Sequence, residues 1–123
     1  NHEDINVVDN QIGSPTNAID LAILILNIIP KLNNENIEIY HFSNLGFCSR
    51  YDFSVKINEI IEGKSSINIE NNLDSIAKRP KYSVLDSNKL MEKFDVKISR
   101  WQDSLSNHLY SMKTKITKCE SQK

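Results

Sequence analysis

The chain has 123 residues, 39% of them hydrophobic and 25% charged, with 15 Lys plus Arg against 16 Asp plus Glu and a formal charge of −1 at pH 7. That length bounds it to one globular domain or part of one. The balanced charge excludes a dedicated nucleic-acid binder, which needs a basic face, and a polybasic membrane-surface binder.

In chain order, Ile5–Val8 is a short apolar run that predicts a strand, and Asp9–Pro15 (DNQIGSP) a turn-rich loop. Thr16 offers a hydroxyl to cap a helix, with Pro15 blocking helical continuation upstream. From Ala18 to Ile29 the chain is apolar on nearly every face, broken by Asp20 and Asn27, which predicts a buried helix. Ile37–Ser43 (IEIYHFS) reads as a buried strand and Asn44–Ser49 as a loop. Ser49 followed by Asp52 forms a capping-box-like start, and Phe53, Ile57, Ile60 and Ile61 recur at helical spacing until Gly63 supplies a stop. Ile67–Ile69 predicts a strand, Glu70–Ser75 a polar linker, and Ala77–Lys81 (AKRPK) an extended basic segment. Asp86 or Ser87 can cap a short helix carrying Leu90, Met91 and Phe94. Ser99 with Gln102 predicts a second capping box, followed by a helical stripe of Trp101, Leu105, Leu109, Met112 and Ile116. Residues 1–116 are expected to fold together, with 117–123 a frayed polar tail. The alternation of strands and helices predicts an α/β class.

Chemistry-bearing motifs are sparse. Gly13, Gly46 and Gly63 stand too far apart for a G-x-G-x-x-G turn or a P-loop. H-E-x-x-H, G-x-S-x-G and EF-hand patterns are absent, and Tyr40, Tyr51, Tyr82 and Tyr110 are followed four residues later by Asn44, Val55, Asp86 and Thr114, so none makes a Tyr-x-x-x-Lys pair. Cys48 and Cys119 make no zinc spacing with His2, His41 or His108 and read as reduced thiols, which points to a cytoplasmic location, with a disulfide between the two as the alternative the sequence leaves open. His41, inside an apolar run, reads as a core or strand-end histidine, and Trp101 as core packing. The longest apolar run, Leu21–Ile29, falls short of the roughly 20 residues that span a bilayer, so no membrane partner is expected. Asn1-His2-Glu3-Asp4 is not a translation start, which predicts a processed or truncated chain.

Three features leave two readings each. Gln11, Gly13, Ser14 and Thr16 lie in a loop before a helix start, either a capped turn or a place that receives an anion or sugar hydroxyls. Lys78-Arg79-Pro80 is either a solvated basic loop or a guanidinium held for bidentate phosphate binding. Arg50 opens a helix, where the dipole disfavours a cation, so it is either exposed or matched by an anion.

The stretches Val7–Thr16 (VVDNQIGSPT), Asp20–Ala22, Ile39–Asn44, Cys48–Ser49, Tyr51–Phe53, Lys78–Asp86 (KRPKYSVLD), Lys89–Leu90, Trp101 and Leu105 together cover most of the chain. In order and spacing they resemble the C-terminal portion of the dTDP-4-dehydrorhamnose reductase family of extended short-chain dehydrogenases. The resemblance implies the last strand and helices of a Rossmann sheet plus a small substrate-binding lobe, with the N-terminal dinucleotide-binding part absent from this chain. It implies an enzyme that moves hydride from NADPH (or NADH) to the C4 ketone of dTDP-4-dehydro-L-rhamnose. The chain alone, lacking the family's Tyr-x-x-x-Lys, is expected inactive. The Gln11–Thr16 loop is implied to line the sugar-nucleotide cleft, with Arg79 on the diphosphate and Lys78 and Tyr82 nearby. Some family members hold magnesium at a dimer interface, although no ligand set for it stands out in this sequence. Ile37–Ser43 is implied to be a sheet edge, and with the Ala18–Ile29 helix would stay uncovered unless a missing N-terminal half or a second copy pairs with it. A second implied reading is a non-catalytic module, since the regulatory subunit of methionine adenosyltransferase resembles the same family. Family members commonly carry Trp where Arg50 stands and an aromatic where Asn17 stands.

Overall fold

The computed structural model describes residues 3–33, 36–71 and 79–120, with side chains through residue 114. Two small sheets flank one central helix. In the first, β1 (Asp4–Val7) pairs in parallel with β4 (Ser66–Ile69), Asp4 opposite Ser66 and Val7 opposite Ile69. The polar residues that follow β4 continue the join. The Glu70 N–H donates to the Val7 carbonyl at 2.9 Å, and Asn71 Oδ1 accepts from the backbone N–H of Asp9 at 2.8 Å.

The second sheet has β2 (Ile12–Gly13) at its centre, antiparallel to β3 (Cys48–Ser49) and parallel to β5 (Tyr82–Ser83). The loop predicted over Asp9–Pro15 therefore contains a strand. Two residues are too few to show a period of two, so nothing in the local sequence announces it.

Helix α1 (Ala18–Ile28) runs into a 3-10 turn over Ile29–Lys31. Its cap is Asn17 rather than the predicted Thr16. Asn17 has extended backbone and its Oδ1 accepts from the Ile19 N–H at 2.9 Å, while the Thr16 hydroxyl turns back to the Ser14 carbonyl. The helix is not buried as predicted. Leu24 alone in it is buried, and Ile19, Ile23 and Leu26 are exposed, Leu26 by 69%.

The predicted strand over Ile37–Ser43 forms no ladder among the described residues. Ile37 is fully exposed and Ile39 is 73% exposed. A strand needs a backbone partner, and none of the described segments pairs with this one; its ties include Lys89 Nζ donating to the Ile39 carbonyl and the Ser43 N–H donating to Ser87 Oγ. His41 is exposed, which corrects its reading as a core histidine.

Helix α2 (Arg50–Ile60) is the centre of the fold and packs on β1, β3, β4 and α4 (Trp101–Glu120). Its predicted capping box closes: the Asp52 N–H donates to Ser49 Oγ at 3.0 Å and the Ser49 N–H donates to Asp52 Oδ2 at 3.1 Å. At the other end, Glu62 takes the left-handed turn at φ 54°, and the Glu62 and Gly63 N–H groups reach back to the carbonyls of Glu59 and Asn58. The left-handed position is thus one residue before the predicted glycine stop, in a Schellman arrangement.

Helix α3 (Asn88–Phe94) is held at its start by Asp86, whose Oδ1 accepts from the Asn88 N–H at 2.8 Å. The Ser99–Gln102 box does not form. The Trp101 N–H is taken by the Leu45 carbonyl at 3.0 Å, and Gln102 Oε1 is buried with no partner among the described residues. The backbone of α4 stays helical to Glu120, past the Thr117 where fraying was predicted.

The apolar core gathers Leu24, Leu90, Phe94 and Ile98, with Tyr40 packing its ring edge-on to Phe94 at 5.2 Å. Trp101 is buried, as predicted, against Phe53 with ring centroids 5.8 Å apart. Gly46 lies over that indole at φ 91°, where a Cβ would come within 3.2 Å of Trp101 Cδ1, so only glycine fits without a shift.

Candidate functional site

The central place of β2 is what builds the site. Pairing Gly13 with Cys48 on one side and with Ser83 on the other draws segments 35 and 70 residues away in sequence against the Gln11–Thr16 loop. The Ile12 N–H donates to the Lys81 carbonyl at 2.8 Å, and Ser83 Oγ donates to the Ile12 carbonyl at 3.3 Å, which locks the second of these joins. A cleft of about 720 Å³ opens between them, a size that suits a small-molecule ligand.

Of the residues singled out in the sequence, Gln11, Gly13, Ser14, Thr16 and Arg79 all line this cleft. Tyr82 lies on β5 but outside the lining; it is 64% exposed and its ring leans on Phe47 at 6.5 Å. Lys78 falls outside the described residues. The cleft also takes in Ser49, Arg50 and Ser54 from the start of α2, and Ser83. The sequence leaves Arg50 either exposed or matched by an anion and does not assign it to this cleft. The pairing of β3 with β2, which carries Arg50 into the cleft, rests on two-residue ladders that no local pattern reveals.

The polar groups of the cleft divide into engaged and free. Ser49 Oγ is the α2 cap, Ser54 Oγ donates to the Arg50 carbonyl at 2.9 Å, and Ser83 Oγ is bonded to Ile12. Ser14 Oγ is buried without a partner among the described residues. Arg79 and Arg50 are exposed and form no ion pair there. Among the described residues, no carboxylate lines the cleft. Cys48, on its floor, is buried, and desolvation together with nearby Asp52 pushes its thiol up to about 11, so it is a poor nucleophile near neutral pH.

A second, more apolar cavity of about 270 Å³ shares Pro15, Thr16 and Phe53 with the cleft and runs between α1 and α4 past Trp101, Leu105 and His108. Among the described residues there is no group of three His, Cys, Asp or Glu that could hold a metal ion, and no helix long and apolar enough to cross a membrane. Among the described residues the cleft gathers donors of the kind that suit a hydroxyl-rich anion and no acid–base pair for proton transfer.

Comparison with known proteins gives a consistent answer. A family model described as the RmlD substrate binding domain matches residues 1–114. The chain is 33% identical over 118 residues to a dTDP-4-dehydrorhamnose reductase of Aggregatibacter actinomycetemcomitans, covering 87% of this chain and 40% of that protein. It is 34% identical over 110 residues to the spore coat polysaccharide biosynthesis protein SpsK of Bacillus subtilis, covering 87% of this chain and 37% of that one. Among solved structures, a dTDP-4-dehydrorhamnose reductase from Clostridium acetobutylicum superposes with a TM-score of 0.79 at 32% identity, over 91% of this chain and 40% of its own. The Bacillus anthracis reductase, solved in complex with NADP, gives a TM-score of 0.77 at 32% identity, over 89% of this chain and 38% of its own. The chain thus spans about 40% of the length of the relatives it matches.

Proposed function

The chain belongs to the RmlD substrate-binding domain family, and from that premise we propose that it forms the sugar-nucleotide-binding part of an NADPH-dependent reductase. The reaction would convert dTDP-4-dehydro-L-rhamnose to dTDP-L-rhamnose, a precursor of cell-surface polysaccharide. One observation carries this reading. The cleft that gathers Gln11, Gly13, Ser14 and Thr16 also takes in Arg79, and among the described residues no carboxylate lines it.

Each group has a matching part of the ligand. Arg79 offers a planar fork of N–H donors to the diphosphate. The unpartnered Ser14 hydroxyl and the Gln11 amide can meet sugar hydroxyls, and Gly13 lets the backbone approach closely. A Cβ at Gly13 would already come within 3.1 Å of Ser83 Oγ. The chain has no glycine-rich turn for a dinucleotide and no Tyr-x-x-x-Lys pair, so no residue here is assigned to NADPH or to proton transfer. Both tasks belong to the part of such a reductase that this chain does not span.

The same reading accounts for the apolar faces. Ile19, Ile23 and Leu26 on α1, with Ile37 and Ile39 beyond it, form the surface that the rest of such an enzyme, or a second copy of this chain, would cover. The test of the site is calorimetric titration of dTDP-L-rhamnose into this chain and into Arg79→Ala. The reading expects binding that weakens more than about tenfold on losing the charged hydrogen bonds; equal binding by the two would refute the role of Arg79.

A further inference from the structure

We infer that Arg50 is a second cationic arm of the same cleft, and that Arg50 and Arg79 together clamp a doubly charged anion, the diphosphate of the sugar nucleotide. This deepens the sugar-nucleotide reading and rests on it. Three observations carry the inference.

The first is placement. Arg50 and Arg79 are 29 positions apart in sequence, yet both line the one cleft, because β2 pairs with β3 just before Arg50 and with β5 just after Arg79. The second is charge. The chain as a whole carries −1, but among the described residues this lining holds two arginines and no carboxylate. The nearest acid along the helix, Asp52, has its Oδ2 engaged by the Ser49 N–H in the capping box. Both guanidiniums are exposed and form no ion pair among the described residues, so an incoming anion displaces no internal partner.

The third is cost. Arg50 is the first residue of α2, where the positive end of the helix dipole repels a cation. A residue that works against its own helix and touches no acid is not explained by stability. It is explained by a negative ligand, whose charge would be matched by Arg50, Arg79 and the helix start at once. Ser14, with its buried unpartnered hydroxyl, sits in the same lining and supplies a further donor.

The probe is inorganic pyrophosphate, titrated by calorimetry into the full chain and into Arg50→Gln, Arg79→Gln and Lys56→Gln. Lys56 is a control cation on the same helix, outside the cleft and paired with Glu59 at 3.0 Å. The expected result is that wild type binds pyrophosphate more tightly than orthophosphate, and that Arg50→Gln and Arg79→Gln each weaken pyrophosphate binding about tenfold or more. Lys56→Gln should bind as wild type, and Arg50→Gln should melt no lower than wild type. If Arg79→Gln weakens binding but Arg50→Gln does not, the clamp is refuted and the sugar-nucleotide reading stands. An equal loss in Lys56→Gln would refute the clamp in favour of a diffuse field. If wild type fails to bind pyrophosphate, or neither arginine matters, the clamp and the diphosphate reading fall together.

Discussion

Asp20 Oδ2 accepts a 2.6 Å hydrogen bond from Nδ2 of Asn44, the most deeply buried side chain described, 24 residues away. The same oxygen accepts from Ser104 Oγ at 2.6 Å, and Asn44 Oδ1 accepts the Asn17 N–H at 2.8 Å. One carboxylate thereby fastens the start of α1 to α4 and to the turn before Gly46. That joint stands directly behind Pro15 and Thr16, so it fixes the loop that enters the cleft.

Replacing Asp20 with Ala removes the acceptor of two buried donors, Asn44 Nδ2 and the Ser104 hydroxyl, leaving Asn44 its 3.3 Å bond to the Ser99 carbonyl and Ser104 Oγ its bond from Asn17 Nδ2. The expected loss is about 1–3 kcal/mol in unfolding free energy, measured by urea denaturation. Asp20→Asn should lose less, because an amide oxygen placed where Oδ2 stands can still accept both bonds, without the charge.

Cys48 makes a second prediction. Its thiol is raised to about 11 in the folded chain, above the ordinary value near 9. The unfolded chain therefore releases the proton first as pH rises. Stability from keeping the thiol neutral is fully present below the unfolded value and is lost between about 9 and about 11. Iodoacetamide labelling of Cys48 at pH 8 should be slow in buffer and speed up sharply in denaturant, with labelled sites read by peptide mass. Fast labelling in buffer would contradict the buried placement.

The apolar side of α1 predicts association. Ile23, Leu26, Ile37 and Ile39 are each more than half exposed, and large apolar side chains left so open mark surfaces that a partner covers. Size-exclusion chromatography with light scattering should show self-association, or a complex when the remainder of the enzyme is supplied. A compact, stable monomer would count against it.

The parts of the fold that were legible in the sequence are those written in neighbouring residues. Ser49 and Asp52 announce the start of α2, and Asp86 that of α3, because a cap is a bond across two or three positions. Ile37–Ser43 shows the limit of pattern. Its apolar residues read as a buried strand, but burial needs a partner, and none pairs with it among the described residues. Ser99 and Gln102 have the right spacing for a box, yet the Leu45 carbonyl bonds the Trp101 N–H from across the fold. The cleft was half legible. Gln11, Ser14 and Thr16 stood out by composition and Arg79 by its proline; Arg50 joins them only through the two-residue ladders of β2, a tertiary fact with no local trace.

The central claim is that the Gln11–Thr16 loop and Arg79 receive a sugar nucleotide. The most direct measurement is a backbone amide NMR titration of the labelled chain with dTDP-L-rhamnose. The account predicts the largest shifts at Gln11, Gly13, Ser14 and Thr16, with Arg79 and the first turn of α2 moving at the same ligand concentrations. Shifts confined to the cavity around Leu105 and His108, or to the exposed face of α1, would contradict it.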